Sequence, residues 1–318
     1  MENTKINRHA YLIKAHNQFS LLQTILRLLD HPNHDFFIHV DIKAKDFDPE
    51  QIRSAATHSA VYFTKERLDH TWGGSSMVWV DLVLFRTAAE HGPYHYYHLL
   101  SGVDMPLHTA QHIYDFFEAN CGKEFIHYCS DEFSAEAPQK RRISLYHFLQ
   151  QKVGRKKNFL AVVERASLLA QRLVGIDRTR AYGKKVSVGA NWCSVTQEYV
   201  EYMLSKEAWI RKHFRWCILA DESYLQVLTD CSPFRNKLYM PDPQGDYHSC
   251  MRYIDFPRGP GNGSPYNFRN EDFEDLTNSD FMFARKFDLN EDSQICDRLE
   301  AHLLARKEKE NANKKPES

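Results

Sequence analysis

The adjacent carboxylates Asp221 and Glu222 are the first candidates for acid–base chemistry in this sequence. They follow the apolar run at residues 216–220, and Glu222 opens a predicted helix at residues 222–228. If the strand or loop before this helix places the carboxylate in a pocket, it could act as a general base for a hydroxyl group. A structural role is the alternative, because acidic side chains in a first helical turn favour the helix dipole. Asp221, just before the helix, has the position of an N-cap.

Three cations lie in aromatic surroundings. Arg252 precedes a short aromatic strand, and Arg285 and Lys286 lie inside the apolar run Phe-Met-Phe-Ala-Arg-Lys-Phe-Asp. Such cations could bind a diphosphate or form structural salt bridges. If the second run is a strand, only one of Arg285 and Lys286 faces inward.

These residue types fit the transfer of a group from a nucleoside diphosphate, which needs a base and positive charge for the departing diphosphate. Many enzymes of this kind hold Mg²⁺ or Mn²⁺ with an Asp-x-Asp motif at the end of a central strand. The corresponding segment here, Ser-Gly-Val-Asp-Met-Pro, contains one carboxylate, Asp104. The histidines at positions 16, 39, 95 and 98 match no standard metal-binding spacing. We therefore expect no metal and no cofactor.

The elements that would position these residues begin with a strand at 10–13, a helix at 20–29 and a strand at 35–40. This βαβ order favours a parallel sheet that binds ligands at the carboxyl ends of its strands. His16, Val40 and Asp41 lie at those ends. Further strands are predicted at 60–63, 94–100, 124–128 and 186–195, and further helices at 75–91, 110–120 and 198–204.

We predict a single domain over residues 1–300, with a nucleotide-binding half at about 8–130 and an acceptor and catalytic half at about 186–300. The glycine- and proline-rich stretch 256–265 is a predicted loop. The charged tail at 301–318 is expected to fray.

A basic helical insertion separates the two halves at about 150–185. Residues 152–185 contain ten Lys or Arg and two acidic residues, a local net charge of +8 (ten minus two). Apolar residues recur at three- and four-residue spacing from Phe159 to Ile176, which predicts an amphipathic helix. This helix could pack on the core with a solvated basic side, or it could lie on an anionic membrane.

The composition restricts the partners and the compartment. The chain has 41 Lys and Arg against 42 Asp and Glu, so no global field attracts nucleic acid. The seven cysteines are singletons, which favours a reducing compartment. No signal peptide or long apolar run is recognisable. We expect a cytoplasmic protein with peripheral membrane contact through residues 152–185 as an open alternative.

Eight segments, taken in order, resemble the family of core-2/I-branching β-1,6-N-acetylglucosaminyltransferases and peptide-O-xylosyltransferases (glycosyltransferase family 14). They are AYLIKAH, FFIHVD, TWGGSSMVWVDLVL, YHYYHLLSGVDMPL, GANWCSVTQEYVEYML, ADESYLQVL, MRYIDF and FARKFD. The resemblance implies an α/β fold of the GT-A type, a nucleotide-sugar-binding fold with a central, mostly parallel sheet flanked by helices. It also implies inversion at the anomeric carbon and, in the branching enzymes, donor binding without a metal.

The resemblance also assigns roles to the candidate residues. Glu222 takes the place of the catalytic base, and Arg252 and Lys286, with Arg285 beside it, take those of the diphosphate-binding cations. His16, Val40 and Asp41 would line the nucleoside pocket. Four residues would face the donor or acceptor sugar: Asp104, Trp72, Trp192 and Asp221.

The implied function is transfer of N-acetylglucosamine from a UDP-sugar to a hydroxyl of a glycan or lipid-linked oligosaccharide. Xylose transfer from UDP-xylose is the alternative within the family. A metal-dependent nucleotide-sugar enzyme, hydrolase or nucleotidyltransferase would need EDTA-sensitive UDP binding. An inactive glycan-binding module would bind sugar without turnover.

Overall fold

The computed structural model describes residues 7–182, 186–261 and 263–313. Within these residues the central sheet has six strands and a second sheet has three. The strands are β1 (His9–Ala15), β2 (His34–Val40), β3 (Ala60–Phe63), β4 (Tyr96–Ser101), β5 (Met105–Pro106), β6 (Phe125–Ile126), β7 (Cys193–Thr196), β8 (Arg252–Ile254) and β9 (Phe283–Arg285).

The central sheet has the strand order β3-β2-β1-β4-β7-β6. The first four strands are parallel, whereas β7 runs antiparallel to both of its neighbours. The register pairs Ala15 with Val40 and Lys14 with Ser101, so β1, β2 and β4 end at the same edge. The predicted α/β class with a mostly parallel central sheet is confirmed.

Helices cover both faces of this sheet. They are α1 (Phe19–Leu29), α2 (Pro49–Arg53), α3 (Ser76–Ala89), α4 (Ala110–Ala119), α5 (Asp131–Ala135), α6 (Ala137–Ser144), α7 (Gln150–Val153), α8 (Phe159–Leu173), α9 (Gln197–Ser205), α10 (Glu207–Phe214), α11 (Tyr224–Asp230), α12 (Phe273–Thr277) and α13 (Gln294–Asn313). Short 3₁₀ helices occur at Thr179–Tyr182, Ala220–Glu222, Pro233–Lys237, Tyr247–Ser249 and Asn270–Asp272.

Two apolar clusters follow from the alternation of side chains along the buried strands. Leu12 and Phe37 pack with α3, α9 and α11 on one face. Ile13 and Phe36 pack with α1, α4 and α13 on the other face. Every residue of β1 and β2 is buried, as expected for central parallel strands covered on both faces.

The second sheet has the order β5-β9-β8 and joins the latter cluster through Met105 and Phe283. Strand β8 begins with Arg252, and β9 ends with Arg285. This small sheet therefore carries two of the three predicted cations on neighbouring parallel strands.

Two predictions about the elements are wrong. The strand predicted from residue 186 begins only at Cys193. The tail predicted to fray is helical to Asn313, with Leu303 buried and Thr109 Oγ1 bonded to Glu310 Oε2 at 2.8 Å. Residues 314–318 of that predicted tail lie outside the described residues.

No helix among the described residues combines the length and the apolar character needed to cross a membrane.

Gly189, in the segment before β7, lies close to the backbone of His127, the residue that follows β6. A Cβ at this position would lie 2.0 Å from the carbonyl oxygen of His127 and 2.6 Å from Gln226 Nε2. The Gly189 amide also donates to the carbonyl oxygen of Glu222 at 2.9 Å. Glycine at this position thus helps to hold the backbone of the candidate base.

We predict that Gly189→Ala lowers the free energy of unfolding by about 1–3 kcal/mol or more, because the backbone of residue 127 cannot move away cheaply. Urea unfolding measures this. Gly102→Ala is the matched control, since a Cβ there would meet Ala15 Cβ at an ordinary 3.4 Å. Equal losses in the two variants would contradict the close-contact explanation.

Candidate active site

The carboxyl ends of β1 and β2 meet through the backbone of Asp41. Its amide donates to the Ala15 carbonyl oxygen at 2.9 Å. Its buried carboxylate accepts hydrogen bonds from the amides of Lys43 at 2.8 Å and His70 at 2.9 Å. The carbonyl oxygen of Val40 accepts Arg67 Nε at 3.1 Å. Asp41 therefore shapes the predicted nucleoside pocket by ordering two loops.

His16 is exposed just beyond the end of β1, and Lys286 lies close enough to influence it electrostatically. Burial lowers the pKa of His16, Asp41 opposes this shift, and the positive charge of Lys286 adds to it. Among the described residues, Lys286 forms no salt bridge. The structure thus brings together His16, Asp41 and a cation free to bind an anion.

A buried ion pair lies beneath this edge. Lys14 Nζ on β1 donates to Asp81 Oδ1 on α3 at 2.8 Å, and both side chains are buried. Tyr224 Oη donates to the other Asp81 oxygen at 3.2 Å. Burial raises the pKa of Asp81, and Lys14 opposes that shift.

Trp192 lies between two cations. Lys14 Nζ is 4.6 Å and Arg285 Cζ is 4.1 Å from the centre of its ring. Arg285 also donates to Asp104 Oδ1 at 3.1 Å, and the Ser101 amide donates to Asp104 Oδ2 at 2.8 Å. Both Asp104 oxygens are therefore engaged by protein groups, and Arg285 lies beside Trp192 at the strand ends.

Glu222 ends the 3₁₀ helix Ala220–Glu222, and α11 begins two residues later at Tyr224. Its side chain is 36% exposed, and Arg142 Nη1 of α6 donates to Oε2. Oε1 accepts no hydrogen bond from the described residues. The interpretation of Glu222 as a first-turn residue of the following helix is wrong, and so is that of Asp221 as its cap, because Ser223 takes the N-cap position.

Asp221 is buried beside Glu222 and within electrostatic reach of Lys14 and Asp81. Its Oδ1 has no hydrogen-bond partner among the described residues. Burial first, and the charge of Glu222 second, raise the pKa of Asp221 to about 7.

The structure does not bring Arg252 to the surface of this site. Its side chain is 1% exposed and packs over the Phe283 ring. Nη2 donates to the Cys193 carbonyl oxygen at 2.8 Å, and Nη1 donates to Ser194 Oγ at 2.9 Å. These bonds link the small sheet to β7. Arg252 was predicted to contact the diphosphate, but in the structure it has a structural role.

Trp72 contacts the basic insertion, two residues after His70, whose amide donates to Asp41. The guanidinium of Arg155 stacks over the Trp72 ring at 4.2 Å, and Gln150 Nε2 donates to the Trp72 carbonyl oxygen at 3.3 Å. The contact of Trp72 with a sugar stays a prediction.

Among the described residues, no three His, Cys, Asp or Glu side chains are grouped as metal ligands. His98 instead bonds to Ser194 Oγ at 2.8 Å, and His39 Nε2 accepts the Leu68 amide at 2.9 Å. None of the seven cysteines forms a disulfide bond, and all of them lie within the described residues.

Comparison with known proteins places this geometry in a family. Residues 9–282 match the family described as Core-2/I-Branching enzyme. The chain belongs to this family of glycosyltransferases. With the central sheet described above, membership identifies the fold as the GT-A-like arrangement that the sequence predicted.

Curated relatives include xylosyltransferase 2 from Bos taurus, 23% identical, and xylosyltransferase 1 from Pan troglodytes, 24% identical, each matched over 93% of this chain. The matches cover 33% and 31% of those proteins, so this chain spans about a third of their length. Among solved structures, apo mouse xyloside xylosyltransferase 1 matches 87% of this chain and 96% of its own, with 9% identity and a TM-score of 0.36.

Three residues of the site were not predicted from the sequence: Lys14, Asp81 and Arg142. Lys14 and Asp81 are single charges inside apolar runs, in AYLIKAH and SMVWVDLVL, and such isolated charges signal a buried pair. Arg142 had no comparable signal, because it lies in a polar helix 80 residues before Glu222 in sequence.

The raised pKa of Asp221 predicts a specific pH dependence of stability. An unfolded Asp releases its proton near pH 4, whereas folded Asp221 holds it to about pH 7. Between these values the folded state binds more protons, so the free energy of unfolding falls as pH rises and levels off above about 7. Asp221→Asn removes this decrease in the free energy of unfolding, because asparagine does not titrate.

We expect the stability of Asp221→Asn relative to wild type to increase from pH 5 to 8 in urea unfolding. Glu124, whose pKa burial also raises to about 7, is present in both proteins and cancels in the difference. A difference that does not change with pH would show that Asp221 titrates normally.

Proposed function

We propose that this chain is an inverting glycosyltransferase that moves a sugar from a UDP-sugar donor to a hydroxyl group of a glycan acceptor. The observation that carries the proposal is an accessible carboxylate oxygen, Glu222 Oε1, near the strand ends that carry the cations Lys286 and Arg285. Tyr247 lies within electrostatic reach of both Glu222 and Arg285. The family to which the chain belongs supports the same reaction class.

Glu222 is the proposed general base. Arg142 holds Oε2, which leaves Oε1 to accept the proton of the acceptor hydroxyl. The hydroxyl oxygen then forms a bond to the anomeric carbon while the bond from that carbon to the diphosphate oxygen breaks. The bonding pair leaves with the UDP, and attack from the opposite face inverts the configuration.

Lys286 and Arg285 are proposed to stabilise the charge that develops on the departing diphosphate. Lys286 has no carboxylate partner among the described residues, and one edge of the Arg285 guanidinium is held by Asp104. Both Asp104 oxygens already accept protein hydrogen bonds, as described above. We therefore propose that cations perform here the role that a metal ion has in Asp-x-Asp enzymes, and that the reaction needs no metal.

The donor would lie along the strand ends. His16 and the Val40–Asp41 backbone are positioned to border the nucleoside, and Trp192 offers an aromatic face to a sugar ring. N-acetylglucosamine is our proposed sugar, as the branching enzymes imply. The named relatives are xylosyltransferases, which keeps UDP-xylose as the second candidate.

We predict that Glu222→Gln lowers turnover by ~10²-fold or more while UDP affinity changes little, because the amide keeps the shape but cannot accept a proton. Steady-state kinetics and calorimetric UDP titration give the two quantities. Glu132→Gln, at an exposed position in α5, is the matched control and should behave as wild type. Near-normal turnover in Glu222→Gln would rule out this base.

Lys286→Ala should weaken UDP binding by about 1.5–3 kcal/mol, the worth of a charge-assisted hydrogen bond. Binding and turnover in the wild-type enzyme should both persist in EDTA. Exposed Lys65→Ala serves as the control. Loss of activity in EDTA with recovery in Mn²⁺ would overturn the metal-free mechanism.

Arg252→Ala should mainly lower the free energy of unfolding, because it leaves two buried carbonyl oxygens unpaired.

A further inference from the structure

Helix α8 is attached to the protein through its polar side. Gln171 accepts the Tyr146 amide at 2.7 Å and donates to the Tyr146 carbonyl oxygen at 2.9 Å. Glu164, one heptad earlier, accepts the Leu149 amide at 3.2 Å. These are the two buried residues of the helix. Because they are seven residues apart, they define its inner face and fix its rotation.

The opposite face of α8 is apolar and exposed. Phe159 is 77%, Val162 60%, Leu169 56% and Leu173 80% exposed. Helical spacing places these four side chains on one stripe that points to solvent. The interpretation in which this helix packs its apolar side on the core is therefore wrong. A contiguous exposed stripe of this kind usually marks an interaction surface.

Basic residues accompany this exposed stripe. Arg165 and Arg172, also seven residues apart, lie along one edge of it, and Lys152, Lys156 and Lys157 precede the helix; all five are exposed. Not all charges of the segment belong to this surface. Arg178 instead turns inward, donating to the His213 carbonyl oxygen at 2.6 Å. Lys184 and Lys185 lie outside the described residues.

We propose that α8 docks this enzyme on the surface of an anionic membrane. The exposed stripe would enter the boundary between headgroups and acyl chains, with the helix axis in the plane of the membrane. The flanking lysines and arginines would contact lipid phosphates. An apolar stripe flanked by basic side chains matches the surface of an anionic membrane. A second protein would bury the apolar stripe but would not need the flanking positive charge.

The chain that precedes α8 reaches the active site. Arg142 of α6 contacts Glu222, and its carbonyl oxygen accepts the Ile218 amide at 3.0 Å. Gln150 of α7 bonds to Trp72. If the proposed function holds, membrane docking through α8 places the base next to an acceptor carried by a lipid, which favours a lipid-linked oligosaccharide as substrate.

Co-sedimentation with vesicles tests the docking without using catalysis. Wild-type protein should bind mixed phosphatidylcholine and phosphatidylglycerol vesicles at low salt, bind less at high salt, and stay in the supernatant with phosphatidylcholine alone. Replacing Val162, Leu169 and Leu173 by Ser should weaken binding by ~10²-fold. Replacing Lys156, Lys157, Arg165 and Arg172 by Glu should weaken it at least as much.

A control with the same change in net charge replaces four exposed lysines elsewhere by Glu, at Lys45, Lys65, Lys123 and Lys309. It should bind nearly as wild type, and circular dichroism should show that all variants fold. Wild-type protein that stays in the supernatant with anionic vesicles overturns the proposal. So does equal weakening by the control, or a dimer that the serine substitutions convert to a monomer without any vesicle binding. Because the readout is sedimentation, an inactive enzyme that still binds vesicles would contradict the proposed function alone.

Discussion

The ion pair between Lys14 and Asp81 is the interaction on which the site depends. Both side chains are buried, and moving two charges out of water costs several kcal/mol each unless they are paired and hydrogen-bonded. The 2.8 Å contact and the hydroxyl of Tyr224 supply that pairing. The pair therefore ties the central strand β1 to α3 and to α11, the helix that follows Glu222. Removing one partner alone would leave an uncompensated charge, typically a loss of about 3–5 kcal/mol.

This pair also organises the charges around it. One buried cation serves two buried carboxyls, Asp81 and Asp221, and burial raises the pKa of each. A protonated Asp221 would spare Glu222 the repulsion of a second negative charge next to it. Glu222 is the member of the group with solvent access and its own cation, Arg142. Burial thus separates the two carboxyls that stay in the scaffold, Asp81 and Asp221, from Glu222, which solvent reaches.

Local pattern was enough to predict the four parallel strands of the central sheet, because buried parallel strands are continuous apolar runs and their ends carry the polar residues. It failed at Asp221 and Glu222, because this acidic pair lies in a 3₁₀ turn and Ser223, not Asp221, caps the helix that follows. Local pattern also failed for Arg252. The sequence of a cation beside aromatic residues does not show whether the cation binds a ligand or backbone carbonyl oxygens. Arg142 could not be predicted at all, because its contact with Glu222 joins two residues that are 80 positions apart in the sequence.

In the insertion, the amphipathic spacing of α8 does not determine which face of the helix packs on the protein and which faces solvent. The apolar stripe of α8 was evident from the sequence, yet the stripe predicts only that one face is apolar, not what it faces. The deciding residues are Gln171 and Glu164, whose bonds to the backbone of residues 146 and 149 offset the burial of two polar groups. Turning the helix to bury Leu169 and Leu173 would break these bonds and expose the groups that hold α6 and α7 in place. The chain from α6 to α7 thus makes both contacts: its residues 146 and 149 hold α8 by the polar face, and Arg142 of α6 bonds to the Glu222 carboxylate.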